Sequence, residues 1–505
     1  MTSRTKLVLV AAVSAFSALS WAQVSGPAPL SWKWQQSTSV VPGPIKVDGD
    51  TVYSAVGRRV YALDRLTGNQ KWRFPMGEGL QANLITGVVV NQGVAVFAAD
   101  NRMLYGVDAN TGEKKWEKVL ETNVYGRPVV SGKFVLIAEG TSSVLAINPI
   151  NGEPAWAEPV KLTYPMLSPV VASENDFFAI SDNSELTCYT SLTGKQRWKV
   201  RLAQLRFGVE PVVSEDTIYL FSGEYVLGLA TQNGARRMQA NAGANLLFSP
   251  AIYKDIVTVV TDDARLLSFN RSGRAIAAPL PLGSQAMNAP VYVGGRVIVN
   301  TVNGNMNMID PFTAQFVWNY TLKPTVKPKA NDKGVTPPNL MVASTPVVAS
   351  GSTLILAGQD GQLLAFDPNT GVDLTGPEAK MTFPPNGAEM YGQSNVAQDQ
   401  IQPFFLFDVS DEACGLKGDT VKVEIDGRQM VHQMTKDGQY AVVIDGRQNR
   451  GFSDGNKKII VTSTDWLGNV SKHEFFVTID NAIPPFKRAA SGGSNSGGFG
   501  GGRDN

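Results

Sequence analysis

The sequence predicts an all-β chain, an eight-bladed β-propeller followed by a small β-sandwich, and three observations carry that prediction. A motif of about 40 residues recurs eight times up to residue 376, each copy reading as short hairpin-linked strands with no helical period. A proline opening an apolar run keeps the same phase, at Pro44, Pro128, Pro169, Pro211, Pro250, Pro290 and Pro346, where it can only begin a strand or sit at an edge. Beyond residue 400 the pattern changes to alternating strands separated by turn residues.

Composition bounds the function classes. The 505 residues are 43% hydrophobic and 18% charged, with 45 Lys+Arg against 44 Asp+Glu, a globular balance with ample core-forming material. With no basic block and no net positive field, nucleic acid is not an expected partner. Cys188 and Cys414 are the two cysteines, too few for a disulfide scaffold, so stability must come from packing. One long-range disulfide is geometrically demanding, and two buried thiols in separate domains are the simpler reading.

Taken in order, the chain opens with Arg4 and Lys6, an apolar run over 7–19, and Ser20-Trp21-Ala22 before Gln23. These are the three parts of a secretory signal peptide, placed at 1–22, so the protein is expected to be exported. No later segment has the apolar length of a membrane span. Neither cysteine follows the cleavage point, so the mature chain is expected to carry no lipid anchor.

The propeller is placed at 23–376. Its first copy runs Val60-Tyr61-Ala62-Leu63-Asp64 through Thr67-Gly68 to Trp72, and its second Leu104-Tyr105-Gly106-Val107-Asp108 through Thr111-Gly112 to Trp116. Later copies keep Gly152 with Trp156 and Gly194 with Trp198, then decay to Gly234 with Met238 and Gly273 with Ala277. Copy seven has Ala314 and Trp318, and copy eight Gly371. From Gly68 the turn position steps by 44, 40, 42, 40, 39, 41 and 57 residues. Dipeptides such as Asp100-Asn101, Asp182-Asn183 and Asp262-Asp263 suit two-residue hairpins. Four antiparallel strands per copy are the form of a propeller blade.

Copy eight lacks a tryptophan after Gly371, whereas a spare strand, Ser31-Trp32-Lys33-Trp34, precedes copy one. That strand is expected to complete the eighth blade, which leaves no exposed edge. Trp34, Trp72, Trp116, Trp156, Trp198 and Trp318 are then expected to pack between blades. The long final step reflects an insertion at 321–341, rich in Lys and Pro, which cannot join a sheet and is expected to project. A linker is placed at 377–400, the sandwich at 401–482, and a flexible Gly/Ser-rich tail at 483–505.

The recurring Tyr-Ala-Leu-Asp to Thr-Gly to Trp signature resembles the pyrroloquinoline-quinone-like propeller repeat, over roughly residues 24–376. Such repeats imply either a quinone-dependent dehydrogenase or a non-enzymatic envelope scaffold of the BamB-type outer-membrane assembly factor kind. The stretch from Ser453-Asp454-Gly455 through Val461 and Asp465-Trp466-Leu467-Gly468-Asn469 to Ser471 looks like a bacterial Ig-like domain, which opens the further reading of a surface-layer or adhesion component.

The dehydrogenase resemblance implies a calcium site, a carboxylate base and adjacent cysteines over the quinone. The sequence has no adjacent cysteine pair, and its histidines, His432 and His473, both lie outside the propeller. No cofactor, metal site or catalytic residue is therefore expected, and the chain is expected not to be an enzyme. The BamB-type resemblance implies contact with the barrel-assembly subunit through a Leu-Arg loop before a blade's opening proline. Leu205-Arg206 stands there before Pro211, while Asn245 and Leu247 occupy the positions of the family's acidic pair.

Overall fold

The structure, a computed structural model, describes residues 24–203, 205, 209–326, 340–435 and 437–487. The expected signal peptide, Arg206, much of the Lys/Pro insertion and most of the tail lie outside the described residues. Regular structure among the described residues is β-strand, apart from one 3-10 turn at Gly418–Thr420. Two compact units emerge: one comprises residues up to Val317 with Val342–Gly371, the other Trp318–Met341 with the chain from Val372 onward.

In the first unit the recurrence folds as eight four-stranded antiparallel sheets. Sheets one to seven span 46–74, 89–119, 129–161, 171–201, 212–241, 251–281 and 291–321, the last strand of the seventh running on into the second unit. The eighth combines Val348–Ser350, Thr353–Ala357 and Gln362–Phe366 with the N-terminal strand Leu30–Gln35, which pairs against Gln362–Phe366. The middle strands are apolar without alternation because both of their faces are covered. Val94–Ala98, Ile256–Val260 and Thr353–Ala357 are buried at every residue. Each sheet therefore shares a core with its neighbours, as where Tyr53 and Trp72 of sheet one meet Phe97 and Val107 of sheet two.

The turn between third and fourth strands explains the Asp-x-x-Thr-Gly signature. Asp64 Oδ1 accepts the Leu66 and Thr67 N–H groups, while Gly68 N–H donates to Asp64 O at 2.8 Å. Asp108 makes the same bonds with Asn110, Thr111 and Gly112. This side chain satisfies backbone donors that the turn would otherwise orphan.

The second unit holds two sheets on one core. A four-stranded sheet includes Phe404–Ser410, and a five-stranded sheet is built on the long hairpin Gly455–Thr464 and Val470–Ile479. Phe405 and Phe407 of the first meet Val423, Ile459 and Val461 of the second. The segment expected to be linker is not free of structure. Glu378–Phe383 pairs with Phe404–Ser410, and Glu389–Met390 pairs in parallel with Thr478–Ile479. Its apolar members, Ala379 and Met390, are buried in the shared core, which is why the chain orders there.

Candidate functional site

Four features of the fold bear on function: the tryptophan seams, the loops at one end of the sheets, the cavity where the inner strands meet, and a carboxylate cluster in the second unit.

At the seams, each docked indole donates its N–H to the turn of the next sheet. Trp72 Nε1 donates to Ala109 O at 3.0 Å, Trp116 to Pro149 O at 2.7 Å, Trp156 to Ser191 O at 3.0 Å and Trp198 to Thr231 O at 2.9 Å. The ring lies on the turn glycine: a Cβ on Gly112 would stand 2.7 Å from the Trp72 ring. Register sets which tryptophan docks. Trp72 opposes Ala62, Trp116 opposes Gly106 and Trp198 opposes Cys188, each a small residue two places before the turn begins.

Trp34 packs between the eighth and first sheets as expected, but it is not the residue that docks on the turn. In the N-terminal strand the docked residue is Trp32, not Trp34: Trp32 opposes Ala365, two places before Asp367, donates to Arg65 O at 2.9 Å and covers Gly68. Trp34, opposite Leu363, is only part-buried and meets Tyr61 edge-on at 5.1 Å. Trp318 is fully buried, and its Nε1 donates to Cys414 O, also in the second unit, at 2.7 Å.

Leu205 belongs to a position that recurs in all eight repeats. It makes an isolated bridge to Ser222, as Leu84 does to Ala99, Met166 to Ser181 and Leu246 to Thr261. It also packs, part-buried, against the core around Phe178 and Leu220. Leu205 is thus placed by the repeat itself, and Arg206, the neighbouring member of the expected contact, lies outside the described residues. Asn245, at one of the acidic-pair positions, donates from Nδ2 to Asp262 at 2.7 Å.

All eight repeats contribute residues on or just before their first strands to one cavity of about 550 Å³, walled largely by Val and Pro, including Pro44, Pro128, Pro211 and Pro346. Four of the seven phase-locked prolines stand there, where an inner edge strand needs no further backbone donor. Its polar residues are Lys46 and an ion pair, Arg127 to Glu210 at 3.2 Å, with Ser249 Oγ donating to Glu210 O. A largely apolar wall with a few polar groups offers binding surface. Both thiols are buried and free. Burial pushes Cys188 up to about 12 and raises Cys414 as well, so neither is a nucleophile near neutral pH. His432 and His473 face the Val421 and Pro377 carbonyls.

In the second unit Asp373, Asp411 and Asp465 bring carboxylate oxygens within 4.8 Å of one another. Such hard oxygen donors could hold Ca²⁺ or Mg²⁺. All three already accept local N–H groups: Asp411 Oδ1 takes three backbone N–H groups from Ala413 to Gly415, Asp465 takes Leu467 N, Asn469 N and Asn469 Nδ2, and Asp373 Oδ1 takes Thr375 N. Burial, with Asp411 and Asp465 nearby, raises Asp373 to about 6. A carboxyl raised on folding favours the protonated state, so this unit loses stability as pH rises from about 4 to 6. Asp373→Asn keeps the acceptor for Thr375 N–H and removes the repulsion. In chelator at pH 7.5 it should stabilise the unit by about 1–2 kcal/mol, a gain that vanishes near pH 4. Urea unfolding at the two pH values reads this out, and an equal effect at both would contradict it.

Comparison with known proteins places these features. No helix among the described residues is long and apolar enough to cross a membrane. Among solved structures, BamB from Moraxella catarrhalis aligns with a TM-score of 0.53 at 15% identity, covering 67% of this chain and 99% of that one. The computationally designed Ika8 protein aligns at 0.53 and 11% identity, over 68% of this chain and 100% of that one. A europium-containing methanol dehydrogenase aligns at 0.51 and 12% identity, over 67% and 93%. These likenesses establish a β-propeller fold for the repeat region and nothing about chemistry. A curated relative, the serine/threonine-protein kinase AfsK of Streptomyces griseus, is 25% identical over 260 residues, which is 50% of this chain but 27% of the kinase. The family model described as outer membrane protein assembly factor BamB matches residues 10–164, 163–277 and 240–405, so the chain belongs to that family.

Proposed function

We propose that the protein is an exported, non-catalytic scaffold of the cell envelope that binds protein partners in outer-membrane protein assembly. In this reading the eight sheets form an eight-bladed ring and the C-terminal sandwich is an Ig-like module. The observation that carries it is the family match, which runs through every repeat of the first unit. The cavity and seams support it: the buried indoles, glycines and prolines hold the sheets together, and the cavity is walled largely by Val and Pro. A stiff body presenting loops binds protein without a large ordering cost. The barrel-assembly subunit is the proposed partner, with Arg206 at the contact.

Arg206→Glu tests this directly. Arg206 follows the bridging residue, so its replacement spares the core contact of Leu205. Capture of the purified barrel-assembly subunit by the mature protein should weaken about tenfold, the effect of losing one interface anchor. Unchanged capture by a variant with the parent's unfolding midpoint would remove Arg206 from the contact.

A further inference from the structure

The residue after each recurrent bridge opens a second pattern on the same end of the sheets. In repeats two, four and six it is Ile85, 43% exposed, and Leu167 and Leu247, part-buried, Leu167 also packing on the core around Phe178 and Leu220. Each is pinned through its own N–H, to Ala98 O, Ile180 O and Val260 O. Two residues before each, a backbone carbonyl accepts the N–H of an aspartate in the hairpin turn of the same sheet: Asp100 on Asn83, Asp182 on Pro165 and Asp262 on Asn245. The fold therefore holds an apolar side chain beside a carboxylate three times over, in alternate sheets. Tyr125 and Met287, at the same position in repeats three and seven, extend the apolar arc.

These carboxylates are not spent on cations. The neighbouring Asp263 takes Arg265 at 2.7 Å, and Arg102 turns its guanidinium to Glu121 O. Asp100, Asp182 and Asp262 form no ion pair among the described residues. The opposite ends of the sheets also expose apolar side chains, Leu66, Ile150 and Leu192. There the turn carboxylates Asp64 and Asp108 are matched by Lys71 and Lys115. An uncompensated acidic charge beside an apolar surface complements a partner of opposite charge.

We propose that this face docks a protein segment whose apolar side chains are flanked by lysine or arginine. The proposal rests on the scaffold reading and names the chemistry of its partner. The probe is a labelled peptide of alternating Leu and Lys, with a Leu and Glu peptide as control, titrated into the mature protein. The parent should bind the Lys peptide and not the Glu peptide. The triple variant D100N/D182N/D262N, which keeps an acceptor oxygen at each turn, should weaken binding about tenfold and abolish its salt dependence. The triple variant I85S/L167S/L247S should weaken it about tenfold and keep the salt dependence. The triple variant L66S/I150S/L192S should leave it unchanged.

No binding by the parent, indifference to both first variants, or equal loss in the third overturns the proposal. The fate of the scaffold reading is separable. If parent and variants capture the barrel-assembly subunit alike, this inference falls and the reading stands. If the peptide discriminates the variants but the parent captures no such subunit, the reading falls alone.

Discussion

Gly112→Val is expected to destabilise the first unit by about 3 kcal/mol or more, and two independent causes add to that figure. Gly112 has φ +75, a left-handed conformation that costs an L-residue about 1–2 kcal/mol. Its added Cβ would stand 2.7 Å from the Trp72 ring, and overpacking of this kind costs about 1–3 kcal/mol. Gly49 separates the causes: its φ is +55, but nothing lies within 4 Å of its Cβ position. Gly49→Val should therefore show the conformational cost alone, about 1–2 kcal/mol. Urea unfolding of the two variants beside the parent measures both. Equal losses would mean that the indole contributes nothing at the seam.

Trp32→Ala is expected to cost about 3–5 kcal/mol, the range for emptying a buried aromatic site. It removes a side chain that is 7% exposed, its bond to Arg65 O and the cover on Gly68. Trp34→Ala should cost about 1–2 kcal/mol, since the ring it removes is only part-buried. This seam joins the N-terminal strand to the first sheet, where Arg65 also donates to Ser350 O and Thr353 Oγ1. Loss of Trp32 should accordingly lower the unfolding midpoint of the whole first unit. A larger effect from Trp34 than from Trp32 would contradict the register of this strand.

Those two residues show what could and could not be read in the sequence. The period, the turn chemistry and the strand borrowed from the N-terminus were all legible, because glycine, aspartate and proline each answer a local backbone requirement. Trp32 and Trp34 lie two apart on one strand and so share a face, and only the pairing register decides between them. A usable signal was present in the small residue two places before each turn: Ala62, Gly106, Cys188 and Ala365 make room for the opposing indole. Trp318 carried no such signal, since its acceptor, Cys414, is remote in sequence. The strands at Glu378–Phe383 and Glu389–Met390 were hidden by flanking Pro and Gly, though their buried members belong to the second unit's core. Leu205 was legible as a loop residue but not as a bridge, because a single backbone pair leaves no periodic trace. The three apolar and carboxylate pairs join residues 15 apart in sequence only through hairpin geometry, so composition does not reveal them.

The central claim is that this propeller binds protein rather than a redox cofactor. Its most direct test is affinity capture by the tagged mature protein from solubilised native envelopes, with identification of what co-purifies and a parallel titration with pyrroloquinoline quinone. The account predicts recovery of the barrel-assembly subunit in stoichiometric amount and no quinone binding. Stoichiometric quinone binding with no stable protein partner would contradict it and make the cavity walled by Val and Pro a cofactor site.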